Sequence, residues 1–339
     1  MTTRVILTVD TELTWRHHVP GEDWRPNFAL SCEPAGVGIS YQLEQLAKHR
    51  LKACFFVDPM PAMVYGLEPV RRMIEPILAA GQEVQLHLHS FWHDLSAGRG
   101  EAARFELTQF DRTEQARLIA LGRDLLMEAG APRPIAFRSG SFAANADTLA
   151  ALHELGFVYD SSHCGADHPW PSALPLDPSL IDPLATDGVT EVPVTQIRRR
   201  DGGLRPFQIC ALSRNEMEAA LLHAADNAHP LVTIVGHSFE LASRDGRRPN
   251  VVIRRRFDRL CAFLDRNRTR FDTVRFDTLG IDCPHLPSAP LPARPLRTVA
   301  RYVEQAWGHA RYEKPAIAAA ALLAPPPVAA LSYLAYAGL

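Results

Sequence analysis

Three histidines within a span of seven residues are the clearest chemical signal in the sequence. They are His87, His89 and His93, in the segment E-V-Q-L-H-L-H-S-F-W-H-D. His89 and His93 are four residues apart, so one helical turn would place both imidazoles on one face. His87 and His89 are two apart, so a continuing strand would place that pair on one face instead. Either pair could give a metal ion two nitrogen ligands, and the spacing leaves the choice open.

Two carboxylates near the start of the chain are the second signal. Asp10 and Glu12 come directly after Arg4–Val9, an apolar, β-branched run that predicts a buried strand. Acidic side chains beside a buried strand are costly to desolvate unless a cation or hydrogen bonds compensate them. Beside the histidine cluster, we therefore favour a functional role for this pair over an ordinary acidic loop.

The elements that must position these residues alternate along the chain. Apolar or alternating runs predict strands at 4–9, 53–57, 83–88, 134–137, 157–159, 189–195, 231–235 and 273–276. Amphipathic patterns predict helices at 37–49, 69–80, 113–130, 147–155, 213–227 and 251–266. Strands alternating with helices indicate a parallel sheet with helices outside it. About seven such units predict a distorted or incomplete (β/α) barrel of about seven parallel strands.

Ionisable residues follow several of these predicted strands. Arg138, Asp160 and His237 each stand at a strand end, as do the acidic pair and the histidines. In parallel α/β folds the carboxyl ends of the strands carry the active site. The sequence therefore predicts one site at that edge of the barrel.

Read together, these strand ends resemble the polysaccharide deacetylase family, the NodB-homology domain of carbohydrate esterase family four, over residues 4–280. The family sequences Thr-Phe-Asp-Asp, His-(Ser/Thr)-x-x-His, Arg-Pro-Pro-Tyr-Gly, Asp-Ser-Ser and Leu-x-His correspond in order to Thr8–Glu12, His89–His93, Arg138–Phe142, Asp160–Ser162 and Val235–His237. Only the arginine of the third motif is kept. The acidic pair is Asp-x-Glu rather than Asp-Asp. Family members also commonly place the first metal histidine four residues after a Gly-x-Glu motif. Counted from Glu83, that position is His87, not His89.

The resemblance implies metal-dependent hydrolysis of an N-acetyl or O-acetyl group on a sugar or glycan precursor. The implied cofactor is a divalent ion, with Zn²⁺ favoured over Co²⁺. Glu12 would bind it together with two of His87, His89 and His93.

The remaining roles are likewise implied by the resemblance. Asp10 would act as the general base, oriented by Arg138. The backbone N–H near Ser141 would help to hold the oxyanion. His237 would protonate the leaving amine, with Asp160 tuning its charge.

Two other classes of function remain open. One is a different amide or cyclic-amide hydrolase on the same fold, such as an allantoinase-like enzyme. The other is a carbohydrate-binding relic without catalytic activity. Assays on ureides and on acetylated sugars separate the first, and metal content together with an Asp10→Asn variant tests the second.

Composition sets broad limits. The 339 residues are 47% hydrophobic with a formal net charge of −2, which implies no nucleic-acid partner. The six cysteines form no C-x-x-C pair and predict free thiols. The start of the chain shows no secretory pattern, and no apolar run of about 18 residues predicts a membrane span. We therefore expect a cytoplasmic protein of undetermined oligomeric state.

Two domains are expected. Residues 1–285 would form the catalytic domain, and 286–339 would form a Pro/Ala-rich extension. The extension begins with a predicted linker at 286–295 and continues with a helix at 298–309. Its apolar end, 316–339, would pack on the domain or a partner, with peripheral membrane contact as the weaker alternative.

Overall fold

The computed structural model of this protein describes residues 2–280 and 287–295, with isolated positions 297, 301, 302, 304 and 312. The strands in this part are β1 (Thr3–Thr11), β2 (Cys54–Val57), β3 (Glu83–Leu88), β4 (Ala136–Ser139), β5 (Tyr159–Asp160), β6 (Leu184–Thr186), β7 (Val189–Glu191), β8 (Gln196–Arg198), β9 (Leu204–Pro206), β10 (Leu231–His237) and β11 (Phe271–Thr273). The α-helices are α1 (Trp24–Ser31), α2 (Ile39–Lys48), α3 (Ala62–Tyr65), α4 (Glu68–Ala79), α5 (Phe91–Ser96), α6 (Arg112–Glu128), α7 (Ala146–Glu154), α8 (Arg214–Asp226) and α9 (Val251–Arg266).

The main sheet is a curled, mostly parallel barrel. Parallel strands follow the order β10-β1-β2-β3-β4-β5-β7, β6 adds an antiparallel edge, and β11 also pairs with β1. The segment that follows β7 hydrogen bonds both to β5 and to β10, which is the strand at the other end of the order. Val192 N donates to Asp160 O at 2.7 Å, and Thr195 N donates to Thr233 O at 3.1 Å. The predicted distorted or incomplete (β/α) barrel is confirmed, in the form of a curled half-barrel.

Burial and capping explain why the predicted elements form. All four residues of β2, all six of β3 and all seven of β10 are buried, as expected for parallel strands that are covered on both faces. Helix α6 begins on Asp111, which accepts a hydrogen bond from Glu114 N at 2.9 Å. Helix α8 begins on a reciprocal capping box between Ser213 and Glu216. These caps fix where each helix starts relative to the strand that it follows.

Three helices, α1, α3 and α5, lie outside the segments that the sequence predicted to be helical. The longest of them is α1. The buried side of α1 includes Asn27 and Ser31, whose side chains hydrogen bond each other at 2.7 Å. Asn27 also donates to the Thr14 carbonyl at 3.0 Å. A helix that buries polar residues has no apolar period to detect.

The last predicted strand is displaced. It was expected at 273–276, but β11 ends at Thr273 and Phe276–Thr278 form a 3₁₀ turn. Phe271 and Thr273 are buried while Asp272 is exposed. Buried and exposed residues therefore alternate along β11, whereas the prediction relied on a continuous apolar run.

The described part of the C-terminal extension packs on the barrel. Arg198 N donates to Leu291 O at 2.9 Å, next to an isolated bridge between Ile197 and Leu291. Further along, Arg256 pairs with Glu304 at 2.9 Å. The expectations for 298–309 and 316–339 lie outside the described residues, apart from 301, 302 and 304.

Two smaller expectations concern cysteines and membrane spans. The five cysteines in the described residues, Cys32, Cys54, Cys164, Cys210 and Cys261, are all free thiols. None of the described helices combines the length and the apolar character needed to cross a bilayer.

Candidate active site

A carboxylate and two imidazoles converge at the carboxyl ends of β1 and β3. One ligand atom each from Glu12, His87 and His89 lies within 4.8 Å of the others. Glu12 Oε2 is 3.6 Å from His87 Nε2 and also contacts His89 Nε2. His87 Nδ1 lies 2.8 Å from the Arg138 carbonyl, so Nδ1 carries the proton and Nε2 presents its lone pair. Two nitrogens and one carboxylate oxygen are a donor set suited to Zn²⁺ and related divalent ions.

Charge coupling within this cluster is strong because the groups are buried. Burial alone would raise the pKa of Glu12, but His89 and His87 hold that pKa well below its usual range. Burial opposes charging of His89, yet the Glu12 carboxylate raises the pKa of His89 to about 9. The Glu12 carboxylate therefore favours positive charge at this position.

His93 is not part of this cluster. Its Nδ1 lies 3.2 Å from Asp94 Oδ1, and its Nε2 lies 3.2 Å from Arg117. The four-residue spacing from His89 applies only if both residues are helical, and α5 begins at Phe91, after His89. The strand geometry, with His87 and His89 on one face, is the one that the structure shows.

Asp10 lies beside the cluster and is held by a buried arginine. Arg138 Nη1 donates to Asp10 Oδ1 at 2.7 Å and to Thr8 Oγ1 at 2.8 Å. Its remaining nitrogens donate to the Ser161 carbonyl and hydroxyl at 3.1 and 2.9 Å. Burial would raise the pKa of Asp10, but Arg138 and the nearby imidazoles hold it below the usual value. Asp10 is thus an ionised, fixed hydrogen-bond acceptor.

His237 lies on the opposite side of Asp10 from Arg138. It is the register partner of Asp10 across β10 and β1, and its Nε2 is 3.9 Å from Asp10 Oδ2. Its Nδ1 is 3.9 Å from Glu240 Oε2. Burial lowers the pKa of His237, but Glu240 and then Asp10 outweigh it, and the pKa is raised. Glu240 thus supplies the carboxylate contact that the sequence analysis assigned to Asp160.

Asp160 forms a separate buried acid pair. Its Oδ1 accepts a hydrogen bond from Ser162 at 2.7 Å, and Glu191 is its register partner on β7. Burial, reinforced by Asp160, raises the pKa of Glu191 well above its usual range. A shared proton between the two carboxyl groups satisfies this pair.

The turn after β4 presents backbone N–H groups. Ser141 and Phe142 both have left-handed backbone angles, with φ of 54° and 58°. The 3₁₀ turn Gly140–Phe142 is only three residues long, so its N–H groups have no intrahelical acceptor. Two strained residues in succession at a strand end are typical of a functional site.

Sequence reasoning missed two further carboxyl groups. Asp58 is fully buried after β2, between Glu12 and the histidine strand, and burial raises its pKa to about 6. Burial raises the pKa of Glu106 to about 7, with His89 and Ser141 opposing the rise. Asp58 carries the same signal as Asp10, an acid after a buried apolar run, and could have been found. Glu106 comes from a loop without any pattern.

Comparison with known proteins gives the fold class. No family model and no curated protein matches the sequence. One solved structure that matches is a Mycobacterium smegmatis protein, which is provisionally named a polysaccharide deacetylase. The two structures have a TM-score of 0.50 and 20% sequence identity, and the match covers 84% of this chain and 95% of the M. smegmatis chain. A 4-α-glucanotransferase from Thermococcus litoralis also has a TM-score of 0.50, at 10% identity, over 98% of this chain and 50% of its own.

A third match is a family 4 carbohydrate esterase from Streptomyces lividans, solved with acetate, with a TM-score of 0.40, 14% identity and coverage of 86% and 98%. The chain therefore has the polysaccharide deacetylase fold, which the motifs of the sequence predicted. At these identities the comparisons describe the fold, and the chemistry rests on the residues themselves.

Proposed function

We propose that this protein is a metal-dependent deacetylase that hydrolyses an N-acetyl group on an amino sugar. The observation that carries the proposal is the convergence of Glu12, His87 and His89 within 4.8 Å, beside a fixed Asp10. These three residues would hold the divalent ion. Polarisation of the acetyl carbonyl and acidification of a water molecule are the chemistry that such an ion supplies when bound.

The protein groups would handle the protons. Asp10, ionised and oriented by Arg138, would take the proton of the attacking water. His237, whose pKa is raised by Glu240 and Asp10, would carry a proton to the leaving nitrogen. His237 Nε2 lies 3.9 Å from Asp10 Oδ2, so both groups are near enough to act on one scissile bond. The N–H groups of the turn at Ser141 would stabilise negative charge on the carbonyl oxygen.

An amide substrate fits this arrangement better than an ester. An amine is a poor leaving group and needs a proton, which is the role proposed for His237. The name of the M. smegmatis neighbour supports a polysaccharide as the substrate class.

The test is acetate release from N-acetylglucosamine oligosaccharides, with allantoin as the ureide comparison. We expect hydrolysis of the sugar, loss on chelation, recovery with Zn²⁺ or Co²⁺, and an inactive Asp10→Asn variant. Full activity in a sample verified to be metal-free would contradict the mechanism. Hydrolysis of allantoin alone would assign the site to the ureide class instead.

A further inference from the structure

The loop between α5 and α6 brings one carboxyl group into the candidate site. Glu106 is 8% exposed and forms a reciprocal capping box with Gln109, whose side chain accepts from Glu106 N at 2.9 Å. The carboxyl oxygen Oε2 is buried and has no donor at normal hydrogen-bond distance among the described residues, although the Ser141 side chain lies near enough to the carboxyl group to lower its pKa. A buried acceptor without a donor is unfavourable in the free protein, so a ligand that supplies the donor would be stabilised.

The path of this loop is fixed by contacts from the segment that follows His89. Ser90 Oγ donates to the Phe105 carbonyl at 3.0 Å. Asp94, which is fully buried, accepts from Arg104 Nε at 2.9 Å and Arg104 N at 3.0 Å. The Arg104 guanidinium also lies 3.6 Å from the centre of the Phe110 ring. These contacts therefore fix the position of the loop that carries Glu106.

Three aromatic rings border the same region, and we call them the aromatic wall: Trp15, Phe91 and Phe105. Phe91 and Phe105 are stacked with centroids 4.8 Å apart, and Trp15 meets Phe105 edge-on at 5.5 Å. Phe105 remains 41% exposed. Phe105 directly precedes Glu106, Phe91 is two residues after His89, and Trp15 is three residues after Glu12, so short stretches of chain connect the wall to the site.

We propose that Glu106 Oε2 accepts a hydrogen bond from a sugar hydroxyl of the substrate, while the aromatic wall covers the apolar face of a sugar ring. The inference rests on the proposed deacetylase function and adds to it the groups that recognise the sugar. A carbohydrate presents hydroxyl donors at its edge and C–H groups on its face, which matches a buried acceptor beside a partly exposed aromatic cluster. A purely apolar acyl compound would leave Oε2 without a donor.

The test compares two substrates in three variants at one loop. Glu106→Met removes the acceptor at similar size, Glu106→Gln restores a carbonyl acceptor, and Gln109→Ala breaks the capping box but keeps Oε2. The substrates are an N-acetylglucosamine oligosaccharide and 4-nitrophenyl acetate, which has no hydroxyl group or sugar ring. We expect Glu106→Met to raise KM for the oligosaccharide about 10- to 100-fold, with Glu106→Gln recovering part of the loss.

In the same experiment, KM for 4-nitrophenyl acetate should stay within about twofold of wild type, and Gln109→Ala should resemble wild type on both substrates. Phe105→Ala should raise KM for the oligosaccharide about 3- to 10-fold. Calorimetric binding of the oligosaccharide should show the same order of variants.

Three results would overturn the inference. An equal loss on both substrates would show that Glu106 serves the reaction or the fold and not sugar recognition. A matching loss in Gln109→Ala would show that Glu106 only stabilises the loop. Wild-type KM for the oligosaccharide in Glu106→Met would remove this inference but leave the deacetylase function standing. A wild-type protein that hydrolyses neither substrate would remove both.

Discussion

His87 and Arg138 are register partners on β3 and β4, and the His87 ring donates through Nδ1 to the Arg138 carbonyl at 2.8 Å. The same arginine donates through its guanidinium to Asp10 at 2.7 Å. One residue therefore fixes the tautomer of a proposed metal ligand with its backbone and the orientation of the proposed base with its side chain. The relative position of the proposed ligand on β3 and the proposed base on β1 is thus set through a single residue of β4.

The first prediction separates the three histidines. His87→Ala and His89→Ala should each weaken Zn²⁺ binding by about 100-fold or more, since loss of a direct ligand exceeds the 10- to 100-fold typical of outer contacts. His93→Ala is the matched control, because the change is identical and its ring contacts Asp94 and Arg117 instead. Chelator competition and elemental analysis after dialysis measure both. A metal-free His93→Ala protein with an unchanged melting curve would show that the cluster is misassigned.

The second prediction concerns the glycine that lies against His89. A Cβ at Gly140 would lie 2.5 Å from His89 Cε1 and Nδ1, so the imidazole must move. Gly140→Ala should therefore lower metal affinity about 10- to 100-fold. Ser141→Ala, in the same turn, should keep wild-type affinity and serves as the control. Wild-type metal binding in Gly140→Ala would mean that the His89 ring has room to shift without consequence.

The third prediction concerns the proposed general acid. His237→Ala should lower kcat on an N-acetyl sugar by roughly 10²–10⁴, the usual contribution of acid catalysis, and leave the metal content unchanged. An activated aryl ester, whose leaving group needs no proton, should be affected much less. Equal losses on amide and ester would argue for a role in binding or folding.

The fourth prediction uses Glu240 to change the charge on His237. The carboxylate helps to raise the pKa of the imidazole, so Glu240→Gln should lower that pKa. His237 would then lose its proton at lower pH, and the alkaline limb of the kcat profile should move to lower pH. Asp160→Asn provides the comparison, because Asp160 hydrogen bonds Ser162 and pairs with Glu191. A larger shift in Asp160→Asn would restore the original assignment.

The fifth prediction concerns the anchor of the loop that carries Glu106. Arg104 holds the pKa of Asp94 at about 2, below its usual 3.8, against the opposing effect of burial. Asp94→Asn should lower the free energy of unfolding by about 2 kcal/mol at neutral pH, through loss of a charged hydrogen bond. The difference should shrink as pH falls from about 4 towards 2, because Asp94 becomes protonated first in the unfolded chain. Denaturant unfolding at several pH values measures it, and a pH-independent difference would contradict the charge argument.

Sequence alone predicted most of the residues that the structure brings together at the candidate site, because these residues follow strands that can be recognised from the sequence. Asp10, His87 and His237 occupy strand ends that apolar runs make visible, and parallel pairing brings strand ends together. Glu106 depends on the Asp94–Arg104 contact between segments, which no local pattern reports. His93 was misleading because a four-residue spacing has a geometric meaning only inside a helix, and α5 starts two residues after His89.

The position of β1 in the sheet has a consequence for synthesis on the ribosome. This N-terminal strand carries Asp10 and pairs with β2, but also with β10 and β11 near the far end of the described chain. Its pairing cannot be completed until the polypeptide through Thr273 has emerged. The nascent chain must therefore keep an apolar strand from aggregating while the residues between β1 and β11 are synthesised, a period in which chaperone contact has the most to contribute.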